Sequence, residues 1–282
     1  MKISKYIMLA LLPIAFLSCD NFDEDEYVIY PEGETSQTTP ITKTQDEQAI
    51  LLEDYTGWKC VNCPAAAALL TDLQAKYGSK LVAMSVHAGS FAEPGKANNY
   101  LDFRTEYGTQ WNSQFGLSAY PIGIINRMDN GTSKGVQKDD WDNKISALLS
   151  STDHLMNINL GSKKQDNQFI VSTQITALKN IDFATLISIV VLEDGIVGVQ
   201  MNSDPTYGDT PKISDYVFNH VLRTNGRIDL TLKDSFSASQ TIEKNYAINI
   251  DPSWNTDNCK IVVFVTNSQS GEVIQCNEID IK

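Results

Sequence analysis

Two cysteines three residues apart stand in the run Cys60-Val61-Asn62-Cys63-Pro64. At that spacing a pair of thiols serves either redox chemistry or one half of a zinc site. The other half of a zinc site is missing: Cys259 and Cys276 lie far along the chain, and His87, His154 and His220 are scattered singly. No metal is expected on that count. The residues after the pair give the redox reading its physical basis. Pro64 suits the first turn of a helix, where no amide donor is missed. Residues 65–77 are helix formers with Leu69, Leu70, Leu73 and Tyr77 along one stripe. A helix N-terminus carries about half a positive charge and free amide donors, which favour thiolate over thiol. Cys60, at the exposed end, is then the attacking sulfur, and Cys63 resolves the mixed disulfide. Lys59 adds a cation next to Cys60.

These thiols need a scaffold on both sides. Residues 49–55 form a mostly apolar run that predicts a buried strand, residues 56–59 a turn, and residues 80–87 a second buried strand after Gly78 ends the helix. The unit is strand, CxxC, helix, strand, and it resembles the thioredoxin superfamily. That resemblance implies a cis-proline opening a later strand, a role that falls to Pro121 in Ala119-Tyr120-Pro121-Ile122-Gly123-Ile124-Ile125-Asn126. It also implies a buried acid six residues before the first cysteine, assisting proton transfer to the second. Asp54 has that spacing. Glu53 is a near-equal candidate, because the inward face of the strand is open at this point. A helix over 138–149, with Trp141, Ile145, Leu148 and Leu149 on one side, would close the domain. Three departures bear on potential and substrate. Trp58 stands one residue earlier than the tryptophan of thioredoxins, Val61-Asn62 replaces Gly-Pro, and Tyr120 precedes the proline. Residues 88–116 read as an insertion, helical over 96–115, with Tyr100, Phe103, Tyr107 and Trp111 as a core stripe.

After Ser150 the helical patterns stop. Phe169, Val171 and Ile175 alternate with polar residues, as do Tyr246, Ile248 and Ile250, and residues 186–192 and 261–265 are apolar runs. Turn signals at Asp194-Gly195, Asn225-Gly226 and Gly271 separate them. Seven to nine strands in about 130 residues suggest an antiparallel sandwich. The expected fold class is therefore an α/β thioredoxin-like domain followed by an all-β antiparallel sandwich. Cys259 and Cys276 fall on the two arms of a hairpin around Ser268, near each other but diagonal. Both a bridge and two buried free thiols are open for them.

The two halves together resemble one family, the twenty-eight-kilodalton outer-membrane proteins of anaerobic gram-negative bacteria. The likeness is carried by Leu52-Glu53-Asp54-Tyr55-Thr56-Gly57 leading into Cys60-Val61-Asn62-Cys63-Pro64-Ala65-Ala66. It continues in Tyr120-Pro121 through Asn126-Arg127, in Asn219-His220-Val221-Leu222-Arg223 and in the terminal hairpin, and covers roughly residues 47–282. It implies an outer-membrane location and names no reaction.

The N-terminus agrees with that location. Lys2 and Lys5 precede twelve apolar residues, Tyr6 to Leu17. As a helix this run is about 18 Å long, short of the ~30 Å hydrocarbon core, and it reads as the core of a signal peptide. Phe16-Leu17-Ser18-Cys19 resembles a bacterial lipobox, which implies a lipidated Cys19 and membrane lipid as a partner. Five acids in the seven residues 20–26 resemble the signal that sends some lipoproteins to the cell surface. The expected organisation is a signal peptide over 1–19, a disordered acidic and polar tether over 20–46, a thioredoxin-like domain over 47–151 and a β-sandwich over 152–282.

Composition narrows the rest. Of 282 residues, 42% are hydrophobic, the balance of a folded globular protein. Thirty-five acids outnumber twenty-two Lys and Arg for a net charge of −13, which argues against nucleic acid as a partner. No phosphate-binding glycine loop, GxSxG or HExxH occurs, and no cofactor is implied. The acidic stretches 204–209 and 251–257 lack the spacing of a calcium loop and read as solvated turns. Two functions of different classes fit these residues. One is a thiol–disulfide oxidoreductase acting on a protein or peptide, with Cys60, Cys63, Asp54 and Pro121 as its site. The other is a non-catalytic binding or adhesion lipoprotein in which Cys60–Cys63 is a structural bridge.

Overall fold

The computed structural model describes residues 33–95, 101–223 and 226–281. The leader, Cys19 and the acidic run lie outside the described residues. The elements in chain order begin with β1 (Ile50–Thr56), α1 (Cys63–Tyr77), β2 (Leu81–His87), α2 (Gly89–Ala92) and α3 (Glu106–Gln114). Next come β3 (Ile122–Ile125), β4 (Gly135–Val136), α4 (Trp141–Ser151), β5 (Met156–Gln165), β6 (Gln168–Ala177) and β7 (Thr185–Glu193). The chain continues with β8 (Ile196–Met201), β9 (Lys212–Phe218), β10 (Val221–Leu222), β11 (Arg227–Lys233), β12 (Thr241–Asn249), β13 (Cys259–Asn267) and β14 (Val273–Asp280). Strands dominate, and the helices are few and short. Of the helix expected over 96–115, residues 96–100 lie outside the described residues, and within 101–115 only α3 is helical. Thr105 starts α3 by accepting the Gly108 amide, so Phe103 reaches the core from extended chain.

One sheet takes strands from both sides of the boundary expected at residues 151 and 152. Its order is β14-β13-β7-β10-β2-β1-β3-β4, with β11 also on β7. The splice is the two-residue β10. Val221 pairs in parallel with Ser85 of β2 and antiparallel with Glu193 of β7, and the Ser85 amide donates to the His220 carbonyl. The motif 219–223 therefore joins the halves of the molecule. Within residues 33–282 the chain forms one compact unit.

Strand periodicity sorts the side chains into three cores. Even residues of β1 and odd residues of β2 (Ile50, Leu52, Leu81, Ala83) face α1 and α4, meeting Leu70, Leu73, Trp141 and Ile145. The opposite parity (Leu51, Tyr55, Val82, Met84) faces Trp111 of α3 and continues into Val190, Val262 and Phe264. On the far face of β7 and β13, residues such as Ile189, Val191, Ile261 and Val263 pack on a second, antiparallel sheet, β12-β6-β5, through Ile158, Phe169, Val171 and Tyr246. Each such buried side chain contributes about 1.5–3 kcal/mol.

The chain over 33–46 corrects the expected tether. Glu34 bridges to Tyr246 and Lys43 to Leu160. The Thr39 amide donates to the Ser172 hydroxyl, and Lys244 pairs with Glu34 at 2.7 Å. Gly161 has no Cβ where the Pro40 carbonyl crosses it. Backbone hydrogen bonds, not apolar periodicity, hold this strap, which is why its sequence reads as unstructured.

Candidate functional site

The site is built at the end of β1. Gly57 lets the chain pass against α2, since a Cβ there would stand 2.5 Å from the Phe91 backbone. Residues 57–62 then turn into α1: the Cys60 amide donates to Gly57 and the Cys63 amide to the Cys60 carbonyl. Cys60 and Cys63 are joined in a disulfide at the helix start, with Pro64 in the first turn. Both are nearly inaccessible, at 2% and 3% exposure. The Lys59 ammonium pairs with Glu93 at 3.4 Å and donates to the Ser90 carbonyl.

The Tyr120–Pro121 peptide is cis and delivers the chain into β3. Tyr120 donates its hydroxyl to Asn112 of α3 and packs edge-on against Phe91, so this tyrosine ties the proline loop to both helices. A surface groove of about 390 Å³ runs beside Pro121, past Val61, Asn62 and Tyr120, and is closed on its far side by Asn202, Asp204 and Tyr207.

The two candidate acids part company by parity. Glu53 faces the α3 side and makes a two-pronged ion pair with Arg127, at 2.8 and 3.0 Å. Asp54 faces the α1 side. It lines a small cavity of about 30 Å³ with Thr56 of β1, Ser85 and His87 of β2, and Cys63 and Ala67 of α1. That is room for a water molecule. Asp54 Oδ1 is buried without a hydrogen-bond partner, and burial pushes the Asp54 carboxyl up to about 7. Burial pushes the His87 imidazole down to about 3, so it stays neutral. Phe103 and Phe218 pack edge-on against its ring.

The rest of the cavity wall comes from a part of the chain that no sequence signal connects with the cysteines. Gln200, Tyr216, Phe218 and Asn219 belong to the β8–β9 hairpin and the residue after it. This hairpin is tied to the CxxC turn: Gln200 Nε2 donates to the Cys60 carbonyl at 2.8 Å, the Met201 amide to Trp58 and the Ser203 amide to Val61. Nothing in the local sequence of 196–218 signals this, because the contact spans about 140 residues of chain. The acidic stretch within it is a turn, with Asp204 accepting the Thr206 amide. Among the described residues no group of His, Cys, Asp and Glu is arranged to hold a metal.

Cys259 and Cys276 are free, buried thiols. Cys276 lies opposite Phe264 in the β13–β14 register, five positions from Cys259. An odd offset puts the two on opposite faces of the sheet, Cys259 in the core under β12-β6-β5 and Cys276 in the core under α3. Neither side chain reaches the other, so a bridge between them is ruled out.

The sequence profile of the family described as outer membrane protein Omp28 matches residues 108–282. No curated protein matches the chain by sequence. Among solved structures, HBP35 of Porphyromonas gingivalis is similar at a TM-score of 0.62 and 16% identity, covering 85% of this chain and 77% of its own. Protein AGR_C_4864 from Agrobacterium tumefaciens is similar at 0.50 and 14%, covering 83% and 95%. A domain of the outer membrane lipoprotein Omp28 from Porphyromonas gingivalis matches at 0.29 and 19%, over 45% of this chain and 88% of that one.

Proposed function

This chain belongs to the outer membrane protein Omp28 family, and from that premise we propose that it is a lipid-anchored, surface-exposed protein whose Cys60–Cys63 pair exchanges disulfides with a protein or peptide. The observation that carries the redox reading is Asp54. An unpartnered buried carboxyl beside Cys63 destabilises the fold and packs nothing that an apolar residue would not pack better. Such a group is retained for chemistry. A strand, CxxC, helix and strand followed by a cis-proline support reading this part as thioredoxin-like, and the two sheets around the core of β7 and β13 support reading the remainder as a sandwich.

The exchange runs in two balanced steps. A substrate thiolate attacks Cys60 Sγ and the Cys60–Cys63 bond breaks. Cys63 leaves with the electron pair and takes the proton of Asp54. A second substrate thiolate then attacks the substrate sulfur bound to Cys60, releasing Cys60 as thiolate. The substrate is oxidised to a disulfide by two electrons and the pair is reduced to the dithiol level. This direction suits an outer surface remote from the cell's electron donors. A site-directed test runs the same exchange in reverse. In Cys63→Ser the lone Cys60 thiolate should attack an oxidised, disulfide-bonded substrate and hold it as a mixed disulfide, because the Cys63 thiol that resolves it in that direction is absent.

A second reading rests on the burial of both sulfurs under the β8–β9 hairpin: a static bridge in a binding lipoprotein. The reduction potential separates the two. Exchange requires a value above about −300 mV, and a structural bridge lies below it. The anchor is tested apart from either: a fatty-acid label should enter the wild-type chain and be lost in Cys19→Ala.

A further inference from the structure

The β8–β9 hairpin touches the disulfide's surroundings at two kinds of place. Its backbone and Gln200 grip the CxxC turn from outside, at the carbonyls of Trp58, Cys60 and Val61. Tyr216 reaches inside. It lines the cavity of Asp54 and Cys63 and also lines a groove of about 210 Å³ that opens to the surface between α1 and β9, past Pro64, Thr71 and Val217. Cavity and groove share Ala67, Ser85, Tyr216 and Asn219. Ala67 is too small to block the way and Asn219 is exposed, so the ring of Tyr216 is the bulk that separates the two.

We infer that the hairpin completes the disulfide site, with Tyr216 as the wall that keeps solvent away from Asp54 and Gln200 as the clamp that fixes Cys60, both acting as positioning residues for proton passage between Asp54 and Cys63. The inference deepens the exchange reading and rests on it. The groups facing Asp54 agree with such an enclosure. From β2 comes His87, neutral at physiological pH; from α1, Cys63; from β9, Tyr216, whose hydroxyl is pushed up to about 12 by burial and by the charge of Asp54. Thr56, Ser85 and Gln200 are uncharged. The ion pair of Glu53 and Arg127 lies on the other face of the strand. No cation therefore opposes the effect of burial, and removing the wall should return Asp54 toward an ordinary carboxyl.

The test follows the Asp54 carboxyl by isotope-edited infrared or carbon NMR in the oxidised full chain, with Asp54→Asn to assign the signal. Wild type and Tyr216→Phe should titrate together near 7, since the ring alone makes the wall. Tyr216→Ala should bind the Asp54 proton at least about tenfold more weakly. An unchanged midpoint in a folded Tyr216→Ala overturns the wall. Gln200→Met keeps the volume and loses the donor, giving a second handle should the alanine variant not fold. Reduction of Cys60–Cys63 by a small dithiol should then quicken about tenfold, the effect of losing the donor that Gln200 gives to the carbonyls of Cys60, Gly57 and Met201. An unchanged rate overturns the clamp. Failure of the exchange reading looks different: Cys63→Ser traps nothing while the Tyr216 and Gln200 effects remain.

Discussion

Glu53 and Asp54 are neighbours on β1, both carboxylic, both buried, and they have opposite fates. Glu53 points toward α3, where Arg127 meets it with two hydrogen bonds and lies over Trp111 at 4.3 Å and Phe264 at 4.9 Å. Asp54 points toward α1, where it meets a sulfur, neutral polar groups and space for water. The first face fastens the molecule. Asn126, beside Arg127, exchanges hydrogen bonds with Leu51, and its backbone carbonyl accepts the Val273 amide, so strands from early and late in the chain close on one arginine. The second face leaves Asp54 Oδ1 without a hydrogen-bond partner. The two neighbours differ in which face of β1 they take and in what meets them there.

The largest expected effect breaks the fastened face. Arg127→Met leaves Glu53 charged and unpaired, which should cost about 3–5 kcal/mol in denaturant melts at neutral pH. A loss below about 1 kcal/mol would show that the pair does not join the halves.

The other face should answer in the opposite sense and depend on pH. The Asp54 carboxyl moves from 3.8 to about 7 on folding. The folded state therefore holds the proton more tightly than the unfolded state. Its stabilising effect is complete below about pH 4 and is lost as pH rises through about 7. Asp54→Asn removes that dependence. Measured against wild type, the variant should gain little at pH 4 and on the order of 4 kcal/mol at pH 8. A difference that is flat with pH would count against an unpaired acid.

A smaller effect sharpens the geometry of the Asp54 face. Gly123 of β3 pairs with Asp54, and a Cβ there would meet the ring nitrogen of Trp141. Gly123→Ala should cost about 1–3 kcal/mol by overpacking. A neutral result would mean that α4 does not press on that face. The smallest effect lies away from β1 and serves as its control. Gly161→Ala pushes on Pro40 and should raise hydrogen exchange over residues 33–46, while the global melt moves by less than about 1 kcal/mol.

Much of the early region is legible in the sequence because its signals are local. The apolar run at 49–55, Pro64 at the helix start, the leucine stripe and Gly78 each act within a few residues, and β1, α1 and β2 form where they point. The strands at 168–177 and 259–267 are legible for the same reason. At 101–115 and in the strap at 33–46, local pattern and tertiary contact disagree. Aromatic spacing suggests more helix than α3 supplies, and a polar strap gives no hint that neighbouring strands bind its backbone.

The sequence by itself determined the spacing of the cysteines, the proline that opens β3 and the period of two along β1. It left the phase of that period open, so Glu53 and Asp54 looked alike. Phase is set by which face meets a helix, and that depends on α1, α3 and Arg127 arriving from elsewhere in the chain. The same holds for Cys259 and Cys276, which an odd register offset sends to opposite faces. It holds most of all for the β8–β9 hairpin, whose contact with the CxxC turn no local pattern encodes. Hydrogen bonds and burial act over a few ångströms in space, and only the folded chain decides which residues come that close.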